Sequence, residues 1–229
     1  VPVERALAFE EARIVGRPVA LDGPKLQLSV IGRDTDGGLV HYRYAPIRGW
    51  RAEQVPGDPV ADDPLAVRED DTIHVAGLAT DGRLVHWSRD DVWTMTDSDA
   101  GPGPTVRLQE RPTMFLMDGR VHVIGRGRHN RLLLLRLNDD GLWRREVLGS
   151  NLAGDPSAVS GPGGFHVLAP TANGGLVHAW RDGNEWTSEN VVESRPTLSA
   201  GKPGEAGVAC WGTDHTLRAF VHCDGRLRA

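Results

Sequence analysis

The chain has 229 residues, a net charge of −5 and only two lysines, so it gives no electrostatic case for binding nucleic acid or an anionic membrane. Its length suits one large domain or an array of small repeated units, and no apolar run of about 18 residues is present that could insert into a membrane. Glycine (28) and proline (15) are frequent, and short Val/Ile/Leu runs are broken by Asp-Gly and Asn-Gly pairs. This composition predicts mostly β structure.

One hairpin segment occurs five times along the chain. Each copy consists of an apolar strand, a tight turn and a second strand that begins at an anchor leucine. The anchor leucines are Leu39, Leu84, Leu132, Leu176 and Leu217. They are separated by 45, 48, 44 and 41 residues. A period in the forties with a β-hairpin inside each unit predicts a β-propeller in which each unit forms one blade.

Each unit follows the same plan. A short strand beside a proline comes first, the hairpin follows, and a strand with a tryptophan closes the unit. The recurring tryptophans are Trp50, Trp93, Trp143 and Trp186. The plan gives about four antiparallel strands per blade. We predict one all-β propeller domain over residues 1–229, with blades at 17–56, 58–98, 111–150, 155–193 and 195–229.

The fifth unit ends before its tryptophan strand, and the missing strand has a counterpart at the N-terminus. The segment "EARIVGRPVAL" aligns with "SENVVESRPTL" at the end of the fourth unit. We therefore expect residues 9–15 to form the outer strand of the fifth blade, which then includes residues 6–16. Because this pairing removes an open sheet edge, the sequence predicts a closed, five-bladed propeller.

The repeated hairpin "DG.L.H", followed by a tryptophan, resembles the repeat of the Photorhabdus lectin family, and the five-blade count resembles tachylectin-2. The resemblance covers nearly the whole chain. It implies a propeller that binds monosaccharide units of glycans or glycoconjugates in pockets between or within blades. The chain departs from that repeat at His74, His122 and His166, where aspartate is usual, and at Leu134 and Ala219, which replace the histidine of the "LVH" strand.

Six of the nine histidines occupy two repeat positions. The "LVH" strand carries His41, His86 and His178, and the preceding strand carries His74, His122 and His166. A recurring histidine either makes one repeated buried hydrogen bond or contacts a ligand, and both interpretations remain open. Three neutral imidazoles from adjacent blades would suit zinc, copper or iron, so the second set is an alternative transition-metal site. No cofactor is expected otherwise.

Several aromatic and basic residues are candidates to contact a sugar. The tryptophans that recur in phase are interpreted as packing residues of the outer strand, whereas the others could stack on a sugar ring. The position just before the hairpin turn varies between units and holds arginine in two of them. The candidate ligand-binding residues are Trp87, Trp180, Trp211, Arg33, Arg126, His41, His86 and His178. The valines on the opposite face of the same strand are expected in the core; they are Val30, Val75, Val123, Val167 and Val208.

Motifs for nucleophilic or nucleotide chemistry are absent, since the sequence contains no Gly-x-Ser-x-Gly, P-loop or HExxH. The two cysteines, Cys210 and Cys223, are predicted to be free thiols. A two-residue hairpin centred on Asp214 and His215 would place Cys210 opposite Ala219.

Three functions are compatible with these observations. The first is a carbohydrate-binding, lectin-like propeller with sites between blades. The second is an enzyme with one histidine-containing site at the mouth of the central channel, with or without a metal. The third is a protein-interaction scaffold. Several equivalent sugar sites would favour the first function, and stoichiometric metal would favour the second. Secretion is the preferred location, and the oligomeric state is left open.

Overall fold

The computed structural model describes residues 14–99, 105–161, 164–172, 175–182, 185–191, 207–211, 217–223 and 226–228. These residues form β-strands joined by turns, with two short 3-10 helices at Pro24–Leu26 and Arg128–Asn130. No helix in this part of the chain has the length and hydropathy needed to cross a membrane. The chain divides into two compact units, Val1–Ala100 and Gly101–Ala229.

Unit 1 contains two antiparallel sheets of four strands, each with its strands in sequence order. Sheet 1 consists of β1 (Ile14–Asp22), β2 (Leu28–Asp34), β3 (Leu39–Ala45) and β4 (Gly49–Val55). Sheet 2 consists of β5 (Leu65–Glu69), β6 (Thr72–Leu78), β7 (Leu84–Arg89) and β8 (Trp93–Asp97). The first strands of the two sheets, β1 and β5, lie beside each other.

Unit 2 repeats this pattern in three further sheets. Sheet 3 consists of β9 (Leu108–Met117), β10 (Arg120–Gly127), β11 (Arg131–Leu137) and β12 (Trp143–Gly149). Sheet 4 consists of β13 (Ser157–Gly161), β14 (Gly164–Pro170), β15 (Leu176–Asp182) and β16 (Glu185–Val191). Sheet 5 has three strands among the described residues, β17 (Gly207–Trp211), β18 (Leu217–Cys223) and β19 (Arg226–Arg228).

The all-β prediction is confirmed, and four of the sheets have the expected four antiparallel strands. The tryptophans that recur in phase lie at or next to the first residue of the fourth strand of sheets 1 to 4; they are Trp50, Trp93, Trp143 and Trp186. Each fourth strand therefore begins with an indole that can pack at the outer edge of its sheet.

The N-terminal strand departs from the prediction. Ile14 and Val15, which were assigned to the last blade, pair with Asp34 and Arg33 at the start of sheet 1. The register of β1 against β2 shifts between Val15 and Val19. Strand β1 is therefore irregular at its start and pairs regularly from Val19 onward. Residues 6–13 lie outside the described part of the chain, and the five-blade count and ring closure stay predictions.

The hairpin turns use the residues that the sequence predicts. In the β2–β3 turn, Oδ1 of Asp34 accepts hydrogen bonds from the backbone N–H groups of Asp36 (2.9 Å) and Gly38 (2.8 Å). Gly37 adopts a φ of 87°, a left-handed conformation that glycine reaches without steric cost. Local turn chemistry therefore defines where each hairpin reverses.

The central strands are buried on both faces. Val75, Val123 and Val167 are fully buried, as expected for core residues, whereas Val30 is only partly buried and the side chain of Val208 lies outside the described part. The adjacent Ala76 and Ile124 are fully buried as well. Side chains on both faces of a central strand therefore pack against protein. This leaves the sheet rims and the fourth strands as the places where side chains can reach a ligand.

The register of sheet 5 corrects one detail. Cys210 lies opposite Arg218, and Ala209 lies opposite Ala219, so the register of β17 and β18 differs by one residue from the prediction. Cys223 lies opposite Arg226 on β19. The two cysteines are therefore not cross-strand partners.

Candidate functional site

A partly buried polar cluster lies where sheet 2 contacts the fourth strand of sheet 1. Strand β4 places Glu53 directly opposite His41, and strands β7 and β8 supply Arg89 and Trp93, which are cross-strand partners. Oε1 of Glu53 lies 2.8 Å from Nε of Arg89. The same oxygen is 3.0 Å from Nδ1 of His41 and accepts a hydrogen bond from Nε1 of Trp93 at 3.2 Å. We call these four residues the Glu53 corner.

The charges in this corner follow from its surroundings. Burial lowers the pKa of His41 despite the nearby carboxylate, so the imidazole is neutral and donates its Nδ1 proton to Glu53. Burial raises the pKa of Glu53, but the hydrogen bond from His41 and the charge of Arg89 outweigh it and hold the pKa below its ordinary value. Glu53 is therefore an ionised carboxylate at neutral pH.

The Glu53 corner is partly open to solvent. The Glu53 side chain is 36% exposed, and its Oε2 receives no hydrogen bond from the described residues. The rings of His41 and Trp93 are nearly perpendicular with their centroids 5.6 Å apart, and the Arg89 guanidinium lies 5.9 Å from the centre of the Trp93 ring. The corner therefore offers one free acceptor oxygen beside an indole whose orientation is set by its neighbours.

An equivalent corner lies between sheets 3 and 4. Glu146 of β12 is opposite Leu134 of β11, and Arg181 of β15 is the cross-strand partner of Trp186 of β16. Trp186 follows Glu146 at the same sequence separation as Trp93 follows Glu53. All four residues line a cavity of about 340 Å³. We call them the Glu146 corner.

A third acidic corner occurs in sheet 4. Glu189 is opposite His178, and its Oε1 lies 3.0 Å from Nδ1 of His178. The ring of Trp180 stacks on His178 with centroids 4.8 Å apart. Because the N–H at Nδ1 of His178 donates to the carboxylate, its Nε2 is unprotonated and accepts a hydrogen bond from the Nδ1–H of His166 at 3.0 Å. A directed chain of hydrogen bonds thus runs from His166 through His178 to Glu189.

Three residues of the predicted ligand-binding set are enclosed by protein. Trp87 is 1% exposed in the core of unit 1, and its Nε1 donates to the carbonyl of Pro56 at 2.6 Å. His86 is equally buried, and burial lowers its pKa to about 3. His41 is fully buried as well, but its Nδ1 proton orients Glu53.

The remaining predicted residues are spread over the sheets. Arg33 and Arg126 lie near the ends of β2 and β10, beside the hairpin turns, where Nη1 of Arg126 lies 3.5 Å from Asn130. His178 and Trp180 contact each other in sheet 4. The backbone of Trp211 pairs with Leu217, and its side chain lies outside the described part.

The histidines of the alternative metal set each contact a different partner. His74 lies 3.1 Å from His86 in sheet 2, and His166 lies 3.0 Å from His178 in sheet 4. Nδ1 of His122 donates to the carbonyl of Arg120 at 3.0 Å. Within the described ranges, no group of three or more His, Cys, Asp or Glu side chains is arranged to hold a metal ion.

Sequence reasoning overlooked the residues that build the corners. They are Glu53, Glu146, Glu189, Arg89 and Arg181. A glutamate on an outer strand has the pattern of a solvated residue, and the arginines precede the tryptophans at a turn. Aligning the fourth strands on their tryptophans would have shown a recurring glutamate opposite the "LVH" position.

The sequence matches no protein-family profile and no curated protein. Solved structures do resemble it. The SapL1 lectin, solved in complex with α-methyl fucoside, has a TM-score of 0.60 and 15% identity over 93% of this chain and 75% of that one. The fucose-specific lectin from Aleuria aurantia has a TM-score of 0.58 and 16% identity over 91% of this chain and 70% of that one.

A further crystal structure of the Aleuria aurantia lectin is described as a six-bladed β-propeller, and it has a TM-score of 0.53 and 13% identity over 91% of this chain and 73% of that lectin. At these identities the likeness concerns the fold. The chain is thus similar in fold to β-propeller lectins, as the sequence predicted. Its relation to the Photorhabdus lectin and tachylectin-2 families stays a prediction.

Proposed function

We propose that the chain is a carbohydrate-binding lectin with sugar sites between successive sheets, at the Glu53 and Glu146 corners. One observation carries this proposal. A glutamate of one sheet recurs beside an arginine–tryptophan pair of the next sheet, at Glu53 with Arg89 and Trp93 and at Glu146 with Arg181 and Trp186. Sheet 2 has Thr96 at the glutamate position, so the fold itself does not require a carboxylate there.

The chemistry of these corners suits a sugar ring. Sugar hydroxyls lose water on binding, so a site must return both donors and acceptors to them. A carboxylate accepts hydrogen bonds from hydroxyls, and a guanidinium donates them. An indole provides a flat apolar face for the C–H groups of the ring. The free Oε2 of Glu53 supplies the acceptor in unit 1.

The fold neighbours suggest which sugar to test first. SapL1 was solved with α-methyl fucoside, and the Aleuria aurantia lectin is described as fucose-specific. We therefore take α-methyl fucoside as the first probe and glycans or glycoconjugates as the natural partners. The corner of His178, Trp180 and Glu189 is a third candidate site, because it combines a carboxylate with a stacked indole.

We also propose that the five repeats form a closed ring of five blades. The five repeated segments, the neighbouring first strands β1 and β5 in unit 1, and the neighbouring β13 and β17 in unit 2 support this arrangement. A crystal structure in which residues 6–13 pair along β19 would establish the closure. An open ring, or those residues elsewhere, would contradict it.

Calorimetric titration with α-methyl fucoside tests the sugar site. Glu53→Gln keeps the size of the side chain but removes its charge, and charge-assisted hydrogen bonds contribute about 1.5–3 kcal/mol, so affinity should fall about tenfold or more. Asp91→Asn is the matched control, because it removes the same charge from an exposed turn residue of unit 1. The affinity of Asp91→Asn for α-methyl fucoside should equal that of the unchanged protein.

Two results would oppose the proposal. One is no heat of binding for a protein whose near-ultraviolet circular dichroism shows ordered tryptophans. The other is the same affinity for Glu53→Gln as for the unchanged chain. If metal analysis then found stoichiometric metal, the result would favour the enzyme alternative. If the protein bound neither sugar nor metal, the scaffold alternative would remain.

A further inference from the structure

The cavity at the Glu146 corner carries an excess of positive charge. Its volume of about 340 Å³ lies within the range of small-molecule sites, about 300–1,000 Å³. It is lined by sheets 3 and 4 of unit 2. Its charged lining residues are Arg120, Arg136, Arg144, Arg145, Arg181, Asp118 and Glu146, which makes five cations against two anions.

Only part of this charge is neutralised by protein. Arg181 bonds to the carboxylate of Asp118, and Nη2 of Arg120 lies 2.8 Å from Oδ2 of Asp139. Arg144 lies 4.0 Å from Asp140, and both of these side chains are largely exposed. Arg136 and Arg145 have no acidic partner among the described residues.

The arginines are also placed against each other. Arg136 and Arg144 are direct cross-strand partners on β11 and β12, and like charges in that position destabilise a sheet. His122 is the partner of Arg136 on its other side, so one row of side chains crosses sheet 3. The folded protein therefore tolerates a repulsion that an anion at this row would relieve.

The fold does not demand this arrangement. Sheets 2 and 4 place Ser88 opposite Thr94 and Trp180 opposite Thr187 at the same register position. Sheet 1 does repeat the arginine pair, with Arg43 opposite Arg51 beside a smaller cavity of about 120 Å³. Two of four sheets thus keep an unfavourable pair, and each pair lines a cavity.

The other lining groups suit the rest of a sugar ring. His122 is buried, and burial lowers its pKa to about 4, so the imidazole is neutral. Its Nδ1 proton is donated to the carbonyl of Arg120, which leaves Nε2 as an acceptor for a hydroxyl group. Half-buried Trp186 adds an apolar wall. A bare inorganic anion would use neither feature.

We propose that this cavity binds a sugar unit that carries a carboxylate or a sulfate ester, with Arg136 and Arg144 holding the anionic group. The guanidinium groups can donate paired hydrogen bonds to two oxygens of such a group. This inference rests on the proposed lectin function and names the ligand class of the second corner.

Calorimetry with matched sugar pairs tests it. The pairs are methyl glucuronide with methyl glucoside, and galactose 6-sulfate with galactose, at constant ionic strength. At least one charged sugar should bind about tenfold more tightly than its neutral twin, and Arg136→Gln should remove most of that difference. Arg128→Gln is the control, because it removes one charge from an exposed residue elsewhere in unit 2 and should preserve the difference.

Each contrary outcome has its own meaning. Equal affinity within both pairs, or an unchanged difference in Arg136→Gln, overturns the proposal. So does sodium sulfate that competes as well as galactose 6-sulfate, since the site would then bind the anion alone. Tighter binding of a short oligonucleotide would identify a nucleic-acid site instead. Fucoside binding without charge discrimination refutes only this inference, whereas no binding of any sugar refutes the lectin function as well.

Discussion

The Glu53 and Glu146 corners occupy the same register positions in two units but form different polar networks. In unit 1, His41, Arg89 and Trp93 all converge on one oxygen of Glu53. In unit 2, apolar Leu134 stands opposite Glu146, and Arg181 bonds to Asp118. In the first corner one carboxylate oxygen is held by three neighbours and the other is open to solvent, whereas the second corner borders a cavity.

The difference shows how a repeated scaffold can acquire distinct sites. The residue opposite the glutamate decides whether the carboxylate is tied down, because an imidazole donates a hydrogen bond and leucine cannot. Both residues, His41 and Leu134, are buried on the third strand of their sheets, so a substitution there changes the hydrogen bonding of the glutamate from inside the sheet. The two corners can therefore differ in ligand while sharing one backbone.

The largest expected difference between the two corners is the loss of free energy of unfolding when each glutamate is replaced by alanine. Glu53→Ala leaves Arg89, whose side chain is 11% exposed, without its counter-ion and should lower the free energy of unfolding by about 3 kcal/mol. That value allows for the partial exposure of Glu53. Glu146→Ala breaks no ion pair among the described residues and should cost about 0.5 kcal/mol or less. Urea unfolding of both variants checks this, and equal losses would contradict the distinction.

Acid should destabilise the protein through its buried histidines. The folded state keeps His86 neutral down to pH about 3, whereas the unfolded state takes up a proton below about 6.5. The unfolded state thus binds more protons, and the free energy of unfolding should fall by about 2 kcal/mol per such histidine between pH 6.5 and 5.

His86→Leu isolates this contribution, because sheet 3 already has Leu134 at the corresponding position. The variant should show a shallower dependence of unfolding free energy on pH over the same interval. The measurement is urea unfolding at several pH values. A slope as steep as that of the unchanged protein would show that His86 does not contribute.

Exchanging the residues opposite the glutamates should interconvert the corners. Leu134→His loses apolar burial but gains a hydrogen bond to Glu146, for a net cost of about 1 kcal/mol. A crystal structure of the variant should show the imidazole bonded to that carboxylate. A loss above about 3 kcal/mol would mean that Glu146 cannot reach the new partner and that the corners are not equivalent.

The smallest effect is expected at the rim of the cavity. Asp139→Asn removes the partner of Arg120, but both side chains are exposed to solvent that screens their charges, so the midpoint of thermal unfolding should not change measurably. A loss comparable to that of Glu53→Ala would show that the ion pair at the cavity rim stabilises the fold as much as the Glu53 corner does.

Local features of the sequence were sufficient for the four-stranded sheets, except at the start of β1, where Ile14 and Val15 pair with β2. Asp-Gly turns and anchor leucines placed the hairpins, and the in-phase tryptophans placed the fourth strands. These features act over a few residues, so no knowledge of neighbouring sheets was needed. The core position of Val75, Val123 and Val167 followed from strand alternation in the same way.

The residues of the Glu53 and Glu146 corners could not be predicted from the alternation of apolar and polar residues along each strand. The sequence suggested that Trp87 could stack on a sugar, because it is out of phase with the recurring tryptophans. Both faces of its strand are buried, however, so strand alternation could not reveal whether its side chain is exposed. Glu53 gains its role from Arg89 and Trp93 of the next sheet. Contacts between sheets depend on packing, and a single sequence reveals them only where the whole pattern recurs.

The most direct test of sugar binding between sheets is the indole N–H signals in an ¹⁵N–¹H NMR titration with α-methyl fucoside. Trp93 donates its indole N–H to Glu53, so a sugar at that carboxylate should shift the Trp93 signal saturably. Trp→Phe variants assign the signals, and Trp50 and Trp143 serve as internal controls that should not move. An unshifted Trp93 signal at high sugar concentration, or equal shifts of Trp93, Trp50 and Trp143, would contradict the account.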